Sequence, residues 1–462
     1  MNDEFCVGAI MLDNRNDAMG EMARNIYSLG ISLLQVGKIR EAVFQFKKTL
    51  LIIPHYFDAL IAIGHCLHLT GEYSEALSVY DHALIFSPER AEIWNNRGNT
   101  LLELSRFQEA AESYYHCLEL APSLHDARVA MATCFQALGR YNDAMAACDT
   151  VLAAAIDNAE AHWNRGLLLL LHGKYREGWL EYEWRWRKRG FTSPQRNFPQ
   201  PIWGGEPAPG KTVLIHAEQG FGDTIQFCRY LPKVADRCSV VIFECHPPLA
   251  PLMKGMADNI FVAEMGAPLP PFDLHLPLLS LPLIFGTTLE TLPMDVPYLK
   301  YPDSKNKNWQ GQIIDSAGLK VGICWAGKSY PDPGRSCPVE ILAQLADIQE
   351  VCWYSLQTGW TNALPFQMID LTDDIHDFGD TASIMAQLDI VITVDTAVAH
   401  LAGALGKRVW LMLPYAPDWR WMLKRDDSTW YPTMRIFRQP AIFAWDYVVR
   451  QVAGSLKTEV IH

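Results

Sequence analysis

The sequence predicts two architectures in series: an α-helical solenoid of five repeats, then an α/β region of two Rossmann-like lobes facing a cleft. Three observations carry this. Small residues recur every 34 positions through the first 190 residues. A segment rich in Pro and Gly, residues 190–210, then breaks the pattern. From Lys211 onward, short apolar runs alternate with amphipathic stretches, as parallel α/β units require.

The repeat is defined by four positions. Gly30, Gly64, Gly98, Ala132 and Gly166 mark the first. Seven residues on stand Gly37, Gly71, Ser105, Gly139 and Gly173, and twelve on stand Ala42, Ala76, Ala110, Ala144 and Gly178. Sixteen on are Phe46, Tyr80, Tyr114, Cys148 and Tyr182, and Pro54, Pro88 and Pro122 close the first three units. Small residues let a first helix approach a second, an aromatic fills the gap, and proline stops the second helix. No single pair can bury its own apolar face, so the pairs must stack.

The series resembles tetratricopeptide repeats over residues 23–190, after an N-terminal helical cap at 1–22. In that family the sixth position of each unit faces a concave groove, and here it reads Ser28, Ala62, Asn96, Ala130 and Asn164. In the similar O-GlcNAc transferases this position forms an asparagine ladder that grips peptide backbone. An amide both donates and accepts, so Asn96, Asn164 and the neighbouring Asn99 are candidate acceptor-binding residues. The alternative is that they are ordinary exposed polar side chains.

Composition narrows the function. The net charge is −13, and acidic residues outnumber basic ones on both sides of residue 190, so nucleic acid lacks its electrostatic footprint. Eleven cysteines include no CxxC pair and no Cys/His group at ligand spacing, which argues against structural zinc or a disulfide framework and for small buried residues. The start, MNDEF, has no basic segment leading into an apolar run, and the leucines at 167–171 are far too few to span a membrane. The expectation is a soluble, cytoplasmic protein.

The α/β half is expected to hold a first lobe at 211–318, a second at 319–440 and a closing helix at 441–462, after a linker at 191–210. Strand-like runs are Thr212–His216, Val240–Glu244 and Asp273–Pro277 in the first lobe. Those in the second begin at Lys320, Val351, Asp389 and Arg408. The loop AEQGFGD, with Gln219, Gly220 and Gly222, sets Asp223 at a strand-to-helix junction, where it is either a helix cap or a general base. It lacks the third glycine and the later acidic residue of a dinucleotide site. VITVDTAVAHLAGAL puts Asp395 and Thr396 between a buried strand and a helix, where the free N–H groups of Thr396 and Ala397 would favour a pyrophosphate. His400 lies one turn on, and the alternative for it is a buried, hydrogen-bonded core histidine. In WAGKSYPDPGRS, Lys328 and Arg335 are cations able to offset a leaving diphosphate, or else solvated surface charges. No DxD stands at a strand end, so no metal or other cofactor is expected.

GFGDTIQFCRYLP, WAGKSYPDPGRSCP, SLQTG, DTASIMAQLDIVITVDTAVAHLAGALGK and PDWRWMLKRDDSTWYP occur in that order over about residues 200–440. The series resembles bacterial tetratricopeptide-repeat glycosyltransferases, which belong with the heptosyltransferase-like (family 9) enzymes of the GT-B fold. The resemblance implies inverting, metal-independent transfer from a nucleotide-sugar bound mainly by the second lobe. Asp223 then takes the place of the catalytic aspartate, with Gln219, Gly220 and Gly222 as its cleft loop. Asp395, Thr396, Ala397 and His400, with Lys328, Arg335, Ser336 and Gln357, take that of the donor site. Many relatives have asparagine where Lys328 stands. Trp419, in PDWRW, is a candidate for stacking on the donor or is simply core. The family includes enzymes that modify flagellins, so a Ser or Thr of a protein such as flagellin, held by the repeat groove, is the expected acceptor. Oligomeric state, sugar and nucleotide stay open. The alternatives are a non-catalytic adaptor with degenerate lobes, a nucleotide-sugar 2-epimerase, and a heptosyltransferase-like enzyme acting on saccharide or lipid.

Overall fold

The computed structural model describes residues 4–313, 318–328 and 333–461. These form two compact units, one up to Asn164 and one from Arg165 onward. The boundary falls within a helix, and the segment from 165 to 190, expected as the end of the repeats, belongs to the second unit.

The helices of the repeats are α1 (Glu4–Gln35), α2 (Ile39–Ile52), α3 (Phe57–Leu69), α4 (Tyr73–Phe86), α5 (Ala91–Glu103), α6 (Phe107–Leu120), α7 (His125–Ala137), α8 (Tyr141–Ala154), α9 (Ala159–Leu171) and α10 (Tyr175–Tyr182). The expected cap and first repeat helix run together as α1. Each small residue has a steric reason. A Cβ at Gly30, Gly64 or Gly98 would sit 2.5, 2.6 or 2.7 Å from the ring of Phe46, Tyr80 or Tyr114. In the fourth pair both partners change: buried Ala132 carries the extra methyl and buried Cys148 replaces the ring. The volume is redistributed rather than lost. The turn between helices takes φ of +76°, +81°, +57°, +72° and +74° at Gly37, Gly71, Ser105, Gly139 and Gly173. Four of the five are glycine because a Cβ is disfavoured there. First helices of successive pairs touch (α3 with α5, α5 with α7), which puts them on the inner side of the curve.

In the second unit, β1 (Ala208–His216), α11 (Phe221–Phe227), α12 (Leu231–Ala235), β2 (Cys238–Cys245), α13 (Ala250–Met253), β3 (Ile260–Glu264), β4 (Leu274–Pro277) and α14 (Leu281–Ile284) build a first lobe. Its sheet runs β3-β2-β1-β4. After α15 (Asp303–Trp309), a second lobe follows: β5 (Leu319–Cys324), β6 (Val351–Ser355), β7 (Ile369–Asp370), α16 (Phe378–Ala386), β8 (Ile390–Val394), α17 (Ala397–Ala404), β9 (Arg408–Leu413), β10 (Met434–Arg438) and α18 (Trp445–Ile461). Its sheet runs β10-β9-β8-β5-β6-β7, and all the strand pairings in both sheets are parallel. Both sheets are therefore doubly wound, with β1 and β8 inside them and their C-terminal ends free to carry loops. α18 packs its Val448, Val449, Val452 and Leu456 into the second lobe's core beside Val321 and Ile323. It seats on that lobe rather than crossing back over both. α10 joins the α/β core through an aromatic cluster: Trp179 donates to the Thr287 carbonyl at 3.1 Å, and Trp430 donates to the Tyr175 hydroxyl at 3.2 Å.

Nine of the ten described cysteines are buried, as small core residues are, and Cys6 lies outside the described side chains. Among the described residues no helix is long and apolar enough to cross a membrane.

Gly98→Ala forces a methyl onto the Tyr114 ring and should cost about 1–3 kcal/mol. Adding Tyr114→Cys reproduces the Ala132/Cys148 solution, so the double variant should cost less than the two single costs combined, by more than ~0.5 kcal/mol. Denaturant unfolding of the four proteins measures this. Strict additivity would mean that the two positions do not share the space.

Candidate functional site

The candidate site lies where the C-terminal ends of β1 and β8 meet. β1 delivers the loop Ala217–Gly220 into α11, and β8 delivers Asp395 and Thr396 into α17. The two helices pack start against start. Gly222 permits this: a Cβ there would lie 2.8 Å from His400 Cδ2 and 3.6 Å from the Ala397 Cα. Gln219 holds the bend in front at φ +61°, with its N–H on Ser193 Oγ at 2.7 Å and its amide nitrogen on the Tyr182 hydroxyl at 3.1 Å.

Asp223 stands in the first turn of α11. Its Oδ2 accepts the Gly220 N–H at 2.9 Å, so it does cap the helix. Its Oδ1 is held by Arg420 Nη2. The same guanidinium donates to Gln226 Oε1, and its Nη1 donates to Asp418 Oδ1 at 3.0 Å. It lies over the Trp419 ring, 4.5 Å from the centroid. Burial opposes the Arg420 charge, and the Asp418 and Asp223 carboxylates more than offset this, so its pKa sits above the ordinary value. Arg420 is the residue that sequence reasoning missed. The signal was present, since an arginine inside PDWRW, flanked by two tryptophans, needs a buried anion. Trp419 itself is 3% exposed and packs edge-on against Trp179, which removes the expectation of donor stacking: it is core.

Asp395 and His400 approach at 4.0 Å, both largely buried. The Asp395 pKa is pushed up to about 7, first by burial and then by the nearby Asp418 carboxylate, with Arg420 and Arg335 opposing. His400 is held well below its usual pKa by burial and by Arg420 and Arg229, so it is neutral and the pair is not a salt bridge at neutral pH. His400 Nδ1 shares a hydrogen bond with the Tyr431 hydroxyl at 2.9 Å, and its ring stacks on Trp421 at 5.4 Å. Arg229, on the α11 side, donates to the carbonyls of Pro293 and Trp430 and to the Tyr298 hydroxyl, which ties the lobes together behind the site.

Thr396 caps α17 in an extended conformation, with its hydroxyl 3.2 Å from that of Thr393. The N–H groups of Ala397 and Val398 have no acceptor inside the helix, while that of Ala399 donates to the Thr396 carbonyl at 3.0 Å. Arg335 bears electrostatically on Asp395 from the β5 loop, lying across Gly327, where a Cβ would be 2.8 Å from its Nε. It donates to the Lys328 carbonyl at 3.0 Å, and the Lys328 side chain is exposed. Ser336 and Gln357 hold this loop rather than face open space. Ser336 Oγ accepts the Gly327 N–H at 3.1 Å, and Gln357 Oε1 accepts those of Trp325 and Ala326 at 3.0 and 2.8 Å. Ser329 to Asp332, the tip of this loop, lie outside the described residues.

The asparagines of the repeats belong to the first unit. Asn99 Oδ1 accepts the Tyr114 hydroxyl at 2.7 Å and so braces its own pair of helices, while Asn164 Nδ2 donates to Thr133 Oγ1 at 3.3 Å. Asn96 is half-buried on α5. Among the described residues no group of three or more His, Cys, Asp or Glu could hold a metal ion.

Models of the tetratricopeptide repeat match residues 59–92, 91–124 and 129–178. The chain carries tetratricopeptide repeats. It is also 26% identical over 418 residues to the FlbA protein of Caulobacter vibrioides, covering 83% of this chain and 70% of that one, so the similarity extends well into the second unit. Among solved structures, a tetratricopeptide repeat protein from Parabacteroides merdae is 20% identical over 36% of this chain and 65% of its own, with a TM-score of 0.33. A thermophilic repeat protein from Thermus thermophilus is 19% identical over 35% of this chain and 88% of its own, with a TM-score of 0.31.

The raised Asp395 pKa has a consequence for stability. Between its unfolded value near 4 and about 7, the folded protein binds a proton that the unfolded chain does not. The favourable contribution of neutral Asp395 is therefore lost as pH rises through about 7. Asp395→Asn stays neutral, so its stability relative to the parent should grow from pH 5 to about pH 7, by up to about 1.4 kcal/mol per pH unit, and level off above that. Buried neutral His400 acts oppositely, losing stability as pH falls below about 6.5, and is common to both proteins. Urea unfolding across that range checks the difference, and a flat difference would contradict a neutral Asp395.

Proposed function

We propose that the second unit is an inverting, metal-independent glycosyltransferase of the GT-B type. It moves a sugar from a nucleotide-sugar to a hydroxyl of a protein acceptor recruited through the repeats. The observation that carries this reading is the convergence, in one crevice, of the Asp223 carboxylate from the first sheet with the start of α17 from the second. One side offers a proton acceptor, and the other offers free N–H groups and a helix dipole suited to a diphosphate.

In this mechanism the donor diphosphate rests on the Thr396–Ala397 turn, with Arg335 and Lys328 offsetting its charge. The acceptor hydroxyl attacks the anomeric carbon in line as the bond to the phosphate oxygen breaks, and its proton passes to Asp223. A carboxylate has about four lone-pair sites, so the hydrogen bonds from Gly220 and Arg420 leave room for that proton. Arg420 keeps the carboxylate aimed, and neutral His400 adds no charge beside the diphosphate. The resemblance to repeat-bearing bacterial transferases favours a Ser or Thr acceptor on a protein such as flagellin, and a cytoplasmic enzyme.

A partner-binding adaptor with inactive lobes is the rival reading. The Asp223–Arg420 pair favours it, because the guanidinium and the Gly220 N–H already engage both carboxylate oxygens. Nucleotide binding separates the two. The transferase reading expects a nucleoside diphosphate to raise the unfolding temperature and to bind in calorimetry, and expects Arg335→Ala to weaken that binding about tenfold or more. No response to ADP, GDP or UDP would favour the adaptor.

Asp223→Asn keeps the shape and one of the two acceptor oxygens that Gly220 and Arg420 now use, while removing the base. Turnover should fall by ~10²–10⁴ with nucleotide affinity retained. The readout is the mass of the acceptor protein isolated with parent or variant present. An unchanged modification level in the variant would reject Asp223 as the base.

A further inference from the structure

A second site lies in the first lobe, beside the crevice but separate from the Thr396 turn. A cavity of about 220 Å³ sits over the C-terminal ends of β1 and β2. Its floor is His216 and the loop to Gln219, its side is His246 and Met265, and its roof is Trp186 with the strap from Thr192 to Arg196. The strap is fastened at both ends: Ser193 Oγ accepts the Gln219 N–H, and Arg196 donates to both oxygens of Glu244 at 2.9 and 3.2 Å.

Each cation around this cavity is already paired. Glu218, fully buried, is held by Arg185 through two hydrogen bonds of 2.9 and 2.7 Å, the same guanidinium donates to Glu183 at 2.6 Å, and Glu244 is held by Arg196. No unpaired cation is left to hold an anionic ligand. One polar group is left over: His216 is 3% exposed, and its Nε2 has no hydrogen-bond partner. Burial, then His275 and Arg196, push its pKa down to about 3, so it is a neutral imidazole able to meet a hydroxyl. A buried polar atom left without a partner is costly, and a ligand hydroxyl would recover that cost. Trp186 and Met265 supply an apolar wall. The volume is below the ~300–1,000 Å³ of sites for drug-sized ligands, so a nucleotide-sugar does not fit whole and a single small ring does.

We propose that this cavity binds one uncharged sugar ring, its apolar face against Trp186 and a hydroxyl on His216 Nε2. Gln219 and His246 line it and flank α11, so the ring lies next to the Asp223 loop. Joined to the transfer reading, on which this last step alone rests, the attacking hydroxyl belongs to a sugar already attached to the acceptor, and the enzyme extends a glycan.

Ligand-observed NMR and calorimetry on the full chain test the site, with methyl glycosides of glucose, galactose, mannose and N-acetylglucosamine, glucose 6-phosphate and N-acetylserinamide as probes. At least one methyl glycoside should bind saturably in the millimolar range, at least tenfold more weakly to Trp186→Ala and His216→Phe, and glucose 6-phosphate should bind less well than the neutral sugars. Trp186 is only half-buried, so its variant keeps the test alive if His216→Phe does not fold. Four results would overturn the proposal: no glycoside binding, tighter binding of the phosphate, preference for N-acetylserinamide, or unchanged affinity in the folded variants. Nucleotide binding to the same protein reports on the transfer reading independently of all four.

Discussion

The guanidinium of Arg420 is the group around which the second unit is arranged. It is carried by a segment of the second lobe, yet its partners Asp223 and Gln226 belong to the first. A cation buried between Trp419 and Phe227 persists because the carboxylates of Asp223 and Asp418 neutralise it, and removing both would leave a buried charge without a counterion. The lobes are thus tied by electrostatics at the point where any chemistry would occur, and by the carbonyl-bound Arg229 one helical turn behind.

This arrangement sets the protonation of its neighbours. The same cation that holds Asp223 helps keep His400 neutral, while Asp418 raises the pKa of Asp395. A neutral acid and a neutral base then face the α17 start, and the positive field there comes from Arg420, Arg335 and the backbone. Across the first lobe the cavity under the strap is built differently, with each charge paired and one imidazole nitrogen spare. The proposed anion site and the proposed site for an uncharged ring thus lie on either side of the loop that carries Asp223.

The repeats follow from steric complementarity that is local in sequence. Glycine and ring, or alanine and cysteine, lie sixteen residues apart and meet directly, so the pairing of helices could be read from spacing. The central strands β1, β8 and β9 were legible for a related reason: buried on both faces, they are nearly continuous apolar runs. β3, β7 and β10 were not. β3 and β10 mix buried with exposed residues, β7 is two residues long, and all three are edge strands, where the apolar signal is diluted.

The sequence by itself determined the repeat register, the parallel α/β class, and Asp223 and Thr396 as residues standing at strand-to-helix turns, because each depends on contacts within a few tens of residues. Only the tertiary structure decided that these turns pack against each other, that Arg420 reaches Asp223 across 197 positions, that Trp419 is core, and that Gln357 and Ser336 serve the loop. Those outcomes rest on which charges and rings are left to neutralise or cover one another once the sheets are formed, and no spacing along the chain encodes that choice.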